Sequence, residues 1–176
     1  LQDEIQLAPD WTLTPTLRYD SYKAEASAQP SNTNHHLSPK IAVKWQALPA
    51  FGVFASYGEA FRAPTLTELY MTALGTNKFS NFTPNAALRP ETSRAKEFGF
   101  TVALDGVVAP KDAFRFKATG FDESVKDLIN QTTISTYTRT APFSGTGSNY
   151  QYQNVSNAHR WGGEAEASYR LGLSLI

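Results

Sequence analysis

Three groups of side chains in this 176-residue chain could do chemistry. His35 and His36 set two imidazoles next to each other, close to Asn32 and Asn34, a combination able to meet a metal ion or a metal-bearing macrocycle. Tyr70 and Met71 supply a phenol and a thioether, two groups that serve as iron ligands in other proteins. Arg62 and Glu91 flank a long polar stretch that also holds Asn85, and their opposite charges suit either a rim ion pair or contact with a ligand. Catalysis finds no comparable footing. There is no G-x-S-x-G, no H-E-x-x-H and no phosphate-cradling G-x-x-x-x-G-K, and the Gly- and Ser-rich stretch at 144–150 reads as an outer loop.

The elements that must position these groups are strands. Period-2 alternation recurs between clusters of Gly, Pro, Asn and Asp, whereas helical periodicity is scarce. Over residues 37–48, Ile41, Val43, Trp45 and Ala47 share one face and Lys40, Ala42, Lys44 and Gln46 the other. The same division returns with Phe98, Phe100, Val102 and Leu104, with Phe114, Phe116 and Ala118, and with Trp161, Gly163, Ala165, Ala167 and Tyr169. The fold class is therefore all-β, with about eight antiparallel up-and-down strands. By the parity of Trp161, His159 falls on the apolar face and is read as structural.

The totals narrow the partners. Sixteen basic and sixteen acidic residues cancel, which removes the electrostatic case for nucleic acid, and the absence of Cys rules out a disulfide frame or a thiolate metal site. No apolar run approaches the ~20 residues of a membrane-spanning helix. Alternating strands that show one greasy and one wet flank are, however, how a transmembrane barrel reads. Connections sort by length as well: the turns near Pro9, near Pro49 and over 105–112 are short, while 25–39, 62–90 and 129–150 are long, and the two kinds alternate. That asymmetry puts tight turns on one rim and large loops on the other. Residues 52–61 then run outward and 92–104 run back.

The loop at 62–90 carries too much apolar surface for a disordered linker, with Phe61, Leu66, Leu69, Tyr70, Met71, Leu74, Phe79, Phe82 and Leu88, and a short helix is expected after Pro64. Its FRAPTLTELY start, followed about 14 residues later by NAALRPETSRAKEFGF, resembles the paired FRAP and NPNL boxes of TonB-dependent haem and haemoglobin receptors. FKATGFDESVKDLI and NVSNAHRWGGEAEASY are similar to later strands of such receptors. Phe61, Arg62, Ala63 and Pro64 make the first box; Asn85, Leu88, Arg89, Pro90 and Glu91 belong to the second and its continuation. The two prolines end one strand and set up the next.

The resemblance implies that residues 1–176 are a partial barrel domain, a section of a ~22-stranded outer-membrane barrel in a Gram-negative bacterium. It implies no intrinsic cofactor, haem or a haem-carrier protein as cargo, lipid around the barrel, and coupling to the TonB complex through a plug domain. Arg62, Tyr70, Met71, Asn85, His35 and His36 become candidate ligand-binding residues, with iron reached through Tyr70, Met71, His35 or His36. Tyr137, Arg139, Phe143 and Tyr150 are further residues placed to touch cargo. No His lies between Arg62 and Asn85, and the second box reads Asn85-Ala86-Ala87-Leu88; both departures favour the alternative of a ferric siderophore or another scarce nutrient. A second alternative is a soluble all-β binding module. About eight strands amount to a third of such a barrel, whose cut edges are expected to pair with another copy or to close.

Overall fold

A computed structural model describes residues 2–72, 79–140 and 144–171. Their elements are β1 (Ile5–Ala8), β2 (Trp11–Ala24), β3 (Asn32–Leu48), β4 (Phe51–Arg62), α1 (Leu66–Tyr70), β5 (Ser80–Phe82), β6 (Glu91–Asp105), β7 (Ala113–Lys126), β8 (Ile129–Arg139), β9 (Gly145–Asn154) and β10 (Ala158–Arg170). Seven strands form one antiparallel sheet in the order β1-β2-β3-β4-β6-β7-β10: β1 to β4 and β6 to β7 pair in chain sequence, while long excursions holding α1 and β5, and β8 and β9, separate β4 from β6 and β7 from β10. The remaining three form a small sheet, β5-β9-β8, in which β5 runs parallel to β9. Among the described residues the strands number ten, more than expected, because residues 129–150, expected as loop, contain the whole of β8 and the first half of β9.

Register keeps the greasy flank continuous from strand to strand. Trp11, Trp45 and Val53 are linked in register, as are Phe51, Val102, Phe116 and Ala167. The hydrophilic flank is equally continuous, with Thr101, Lys117 and Glu166 in one row. Aromatic rings bracket the apolar flank. Trp11 stacks on Trp45 at 5.4 Å near the short turns, while Tyr19 and Trp161 stand towards the long-loop rim, exposed by 65% and 77%. From Trp11 to Tyr19 is roughly 26 Å of strand, or about 20 Å after tilting, most of the ~25 Å apolar band of an outer-membrane barrel.

Nothing among the described residues packs over this flank: Leu17, Leu37, Ile41, Leu48 and Phe98 all stay exposed. A soluble sandwich would bury them under a second sheet. The buried cluster sits elsewhere, at the long-loop rim, where Ala24, Leu69, Leu88 and Ile129 meet with Tyr70 and Tyr152 against them. The hydrophobic core therefore lies under the outer loops, and the sheet itself is one layer whose apolar side calls for lipid.

The expected loop at 25–39 is much shorter. β3 begins at Asn32, and its outer half pairs with β2 through Tyr22↔Asn34, Ser21↔His35 and Asp20↔His36. His35 and His36 are thus strand residues, and successive strand side chains point to opposite faces. The two imidazoles do not share a site.

Candidate functional site

The described parts of the 62–90 segment, residues 62–72 and 79–90, pack at the long-loop rim, and their anchor is Arg62. The guanidinium leaves the last position of β4 and donates to Glu91 at the start of β6 through Nε (2.7 Å) and Nη2 (2.6 Å). Its Nη1 reaches Glu68 at 3.0 Å. Glu68 also closes a capping box three residues after the Thr65 N-cap: its backbone N–H donates to Thr65 Oγ1 at 3.2 Å, and its carboxylate accepts from the Thr65 N–H at 2.7 Å. Burial disfavours the Glu68 anion, yet the hydrogen bonds from Arg62 and Thr65 outweigh that and hold its carboxyl below the usual range. Glu91 Oε1 additionally accepts from the Ile129 N–H at 2.8 Å. One guanidinium thereby links β4, α1, β6 and the first residue of β8.

Behind this anchor the loop is bolted down. Tyr70 Oη lies 2.8 Å from the Ala24 carbonyl oxygen and 3.0 Å from that of Pro30, tying α1 to the β2–β3 connection. Asn32 Nδ2 donates to the carbonyls of Ala86 and Leu88 at 2.8 and 2.9 Å. Asn85 donates its N–H to the Leu69 carbonyl and its Nδ2 to the Tyr152 carbonyl, both at 2.8 Å. The Arg89 N–H donates to Asn154 Oδ1 at 2.8 Å, and the Arg89 guanidinium pairs with Asp127. Ala63 joins β4 to Pro64, which is buried ahead of the Thr65 cap, and Pro90, also buried, precedes β6.

The candidate ligand residues therefore separate. Arg62, Tyr70 and Asn85 are brought together, but their polar groups are spent on holding the loop. Met71 caps the C-terminus of α1 and is half-buried. His36 lies on the hydrophilic flank, stacked on Phe61 at 5.2 Å with an interplanar angle of 8°, and its Nε2 is buried without a hydrogen-bond partner among the described residues. His35 stands on the opposite face beside Tyr19, at 6.2 Å. His159 Nε2 is 2.7 Å from an Asp122 carboxylate oxygen.

Of the outer-loop residues, Tyr150 contacts Phe82 at 5.5 Å and the Tyr137 ring covers Gly147; Arg139 ends β8. Phe143 and Leu74 lie outside the described residues. The sequence signalled the capping box, since Thr65 and Glu68 have the T-x-x-E spacing. It carried no signal for the long-range clamps of Asn32, Asn154 and the Ile129 N–H, which exist only once distant strands have paired.

Sequence relatives agree with this geometry. The chain is 34% identical over 165 residues to a heme/hemopexin utilization protein C of Haemophilus influenzae, a match covering 90% of this chain and 23% of that protein. It is 31% identical over 191 residues to a hemin receptor of Yersinia enterocolitica, covering 99% and 27%. Among solved structures, a double mutant of the Serratia marcescens hemophore receptor HasR, in complex with its hemophore HasA and heme, superposes with a TM-score of 0.72 at 25% identity, covering 93% of this chain and 30% of that one. The chain thus spans about a quarter of the length of the curated relatives it matches. With residues 1–176 matching the model described as TonB dependent receptor-like, beta-barrel, the chain belongs to the TonB-dependent receptor β-barrel family, whose members are outer-membrane barrels of Gram-negative bacteria.

Proposed function

We propose that this chain is the part of an outer-membrane receptor that carries the capture loop for haem, taken free or from a haem-carrier protein, with import energised by TonB through a plug domain. The observation that carries the reading is the pair of boxes that resemble those of haem receptors, tied together at the rim where Arg62 of the first binds Glu68 and Glu91. The names of the relatives, a hemin receptor and a heme/hemopexin utilization protein, support the same cargo.

His36 is the imidazole best placed to reach iron. It is on the cavity flank beside Phe61 of the first box, and a buried nitrogen without a partner costs about 1–3 kcal/mol, which ligation would relieve. Met71 remains a second candidate, half-buried at the end of α1. Arg62, Tyr70 and Asn85 act by positioning the loop rather than by touching iron.

Haemin titration of the full-length receptor, followed at the Soret band, tests this. Binding with a Soret shift is expected, and His36→Ala should move the band or weaken binding while His35→Ala leaves both unchanged. A receptor that shows no haemin-dependent Soret change, yet binds a ferric siderophore, would replace haem with the siderophore reading.

A further inference from the structure

The wall is not continuous at its outer end. The β3–β4 ladder stops at Lys40↔Gly58, although β3 extends out to Asn32 and β4 to Arg62. Beyond that rung, among the described residues, β3 pairs with β2 alone, from Leu17↔Pro39 to Ala24↔Asn32. There β4 pairs with β6 alone, from Glu59↔Arg94 to Arg62↔Glu91. Pro39 is the first residue past the last rung and has no N–H with which to continue a ladder.

The two edges overlap. Tyr22, His36 and Ser38 have the parity of the hydrophilic flank, whereas Glu59 and Phe61 have that of the apolar flank. In an unbroken sheet these side chains would point apart. Yet the Phe61 ring lies 6.0 Å from that of Tyr22 and stacks on His36 at 5.2 Å. On the hairpin, Tyr19 and Leu37 of the apolar parity are exposed while Ser38 is buried. On β4 the order is reversed, with Tyr57, Glu59 and Phe61 half-buried and Ala60 and Arg62 exposed. The outer half of the β2–β3 hairpin therefore laps over the outward side of β4.

This joint is weakly closed. It encloses His36 Nε2 and Ser38 Oγ, both buried without a hydrogen-bond partner among the described residues, and an unbonded polar atom favours any state that lets it bond. At the tip of the hairpin Ala28 holds a left-handed φ of 60°. What holds the hairpin down comes from the 62–90 segment and is separate from the Arg62 anchor. Tyr70 Oη sits between the carbonyls of Ala24 and Pro30, and Asn32 Nδ2 donates to those of Ala86 and Leu88.

We propose that the outer half of β2–β3 is a flap, hinged at Pro39–Lys40 and latched by Tyr70 and by the Ala86 and Leu88 carbonyls, whose opening exposes a slot for a flat conjugated ligand. Tyr22 and Phe61 supply ring faces, His36 Nε2 a ligating atom, and Ser38 Oγ a hydrogen bond to a polar group at the ligand's edge. Three aromatic rings gathered around two unbonded polar atoms suit a planar macrocycle with polar substituents and suit a flexible aliphatic ligand poorly. That the macrocycle is haem rests on the cargo reading above; the hinge does not. Because closure covers Nε2, cargo reaches His36 only in the open form, and the segment that captures it also holds the latch.

In a full-length receptor with no other cysteine, a Ser38→Cys thiol reports opening through its rate of maleimide labelling, while heat-modifiable migration on gels shows that the barrel stays folded. Labelling of the folded receptor is expected, roughly tenfold faster once Asn32→Ala removes its part of the latch and roughly tenfold slower at saturating haemin. Lys44→Gln, below the hinge, should leave the rate unchanged. Hydrogen exchange of the receptor without the thiol is the second reading: amides 33–38 should exchange faster than 40–46, and Asn32→Ala should widen the difference. Labelling that waits for the barrel to unfold, or rates that Asn32→Ala leaves alone, would overturn the flap. Haemin that shifts the Soret band without slowing the labelling would overturn the slot. A receptor with no haemin-dependent Soret change removes the cargo reading alone, since labelling and exchange decide the flap without haemin.

Discussion

Arg62 and Glu91 are 29 residues apart in the chain and joined by two parallel hydrogen bonds, so the end of β4 and the beginning of β6 are locked at the point where the chain leaves for its longest excursion. The same carboxylate holds the first N–H of β8. A single pair therefore fixes the roots of two outer structures. Glu91→Gln keeps the shape and removes the charge, and the expected loss is about 1–2 kcal/mol, below a fully buried pair because the Arg62 side chain is 43% exposed. Hydrogen exchange should speed up in both 63–90 and 129–154 while β2, β3 and β7 keep their protection. Faster exchange in the first segment alone would show that Glu91 does not couple them.

Leu69 is fully buried in the small cluster under the loop. Leu69→Ala should cost roughly 2–4 kcal/mol, and because the cluster is separate from the membrane-facing sheet the loss should be local. Proteolysis at 63–90 should accelerate with no change in the heat-modifiability of the barrel. A barrel that unfolds with the loop would contradict the separation.

Tyr70→Phe distinguishes a bolt from a ligand. The hydroxyl lies between two carbonyl oxygens at 2.8 and 3.0 Å, so its removal should loosen the loop and weaken haemin binding less than tenfold, with the Soret maximum in place. A displaced Soret maximum would make the phenolate an iron ligand after all.

The β6–β7 turn supplies a pH prediction. Asp112 accepts from the Tyr169 hydroxyl and from the N–H groups of Val107, Val108 and Ala109, and these bonds hold its carboxyl down at about 2. A folded value below the unfolded ~3.9 means the anion favours the folded turn. The contribution is complete above about pH 4 and fades as pH falls towards 2. Amide exchange over 106–112 should show that loss, and Asp112→Asn should lose the pH dependence. A turn equally protected at pH 5 and pH 2.5 would refute it.

Gly99 shows how tightly the wall is built. A Cβ there would come within 2.2 Å of the Ala118 carbonyl oxygen and 2.5 Å of the Phe54 ring, and the carbonyl belongs to a paired strand that cannot yield. Gly99→Ala should lower the folded yield of the full-length receptor, measured as the heat-modifiable fraction, whereas Gly106→Asn in the turn should be tolerated, since Gly106 has a φ of +70° that Asn also adopts.

Sequence alone determined the two-sided strands, the sorting of short and long connections onto opposite rims, and the box pair around 62–90. Each is written in local alternation or in Pro, Gly and Asn punctuation, which a barrel wall imposes residue by residue. What only the tertiary structure decided lies above the membrane. There both faces of a strand meet water, alternation disappears, and β8, much of β9 and the outer half of β3 look like loops although pairing makes them strands. That pairing set His35 and His36 on opposite sides, and it engaged Arg62, Tyr70 and Asn85 in holding the loop, because their partners at Glu91, Ala24 and Tyr152 come within reach only after strands distant in the chain have met.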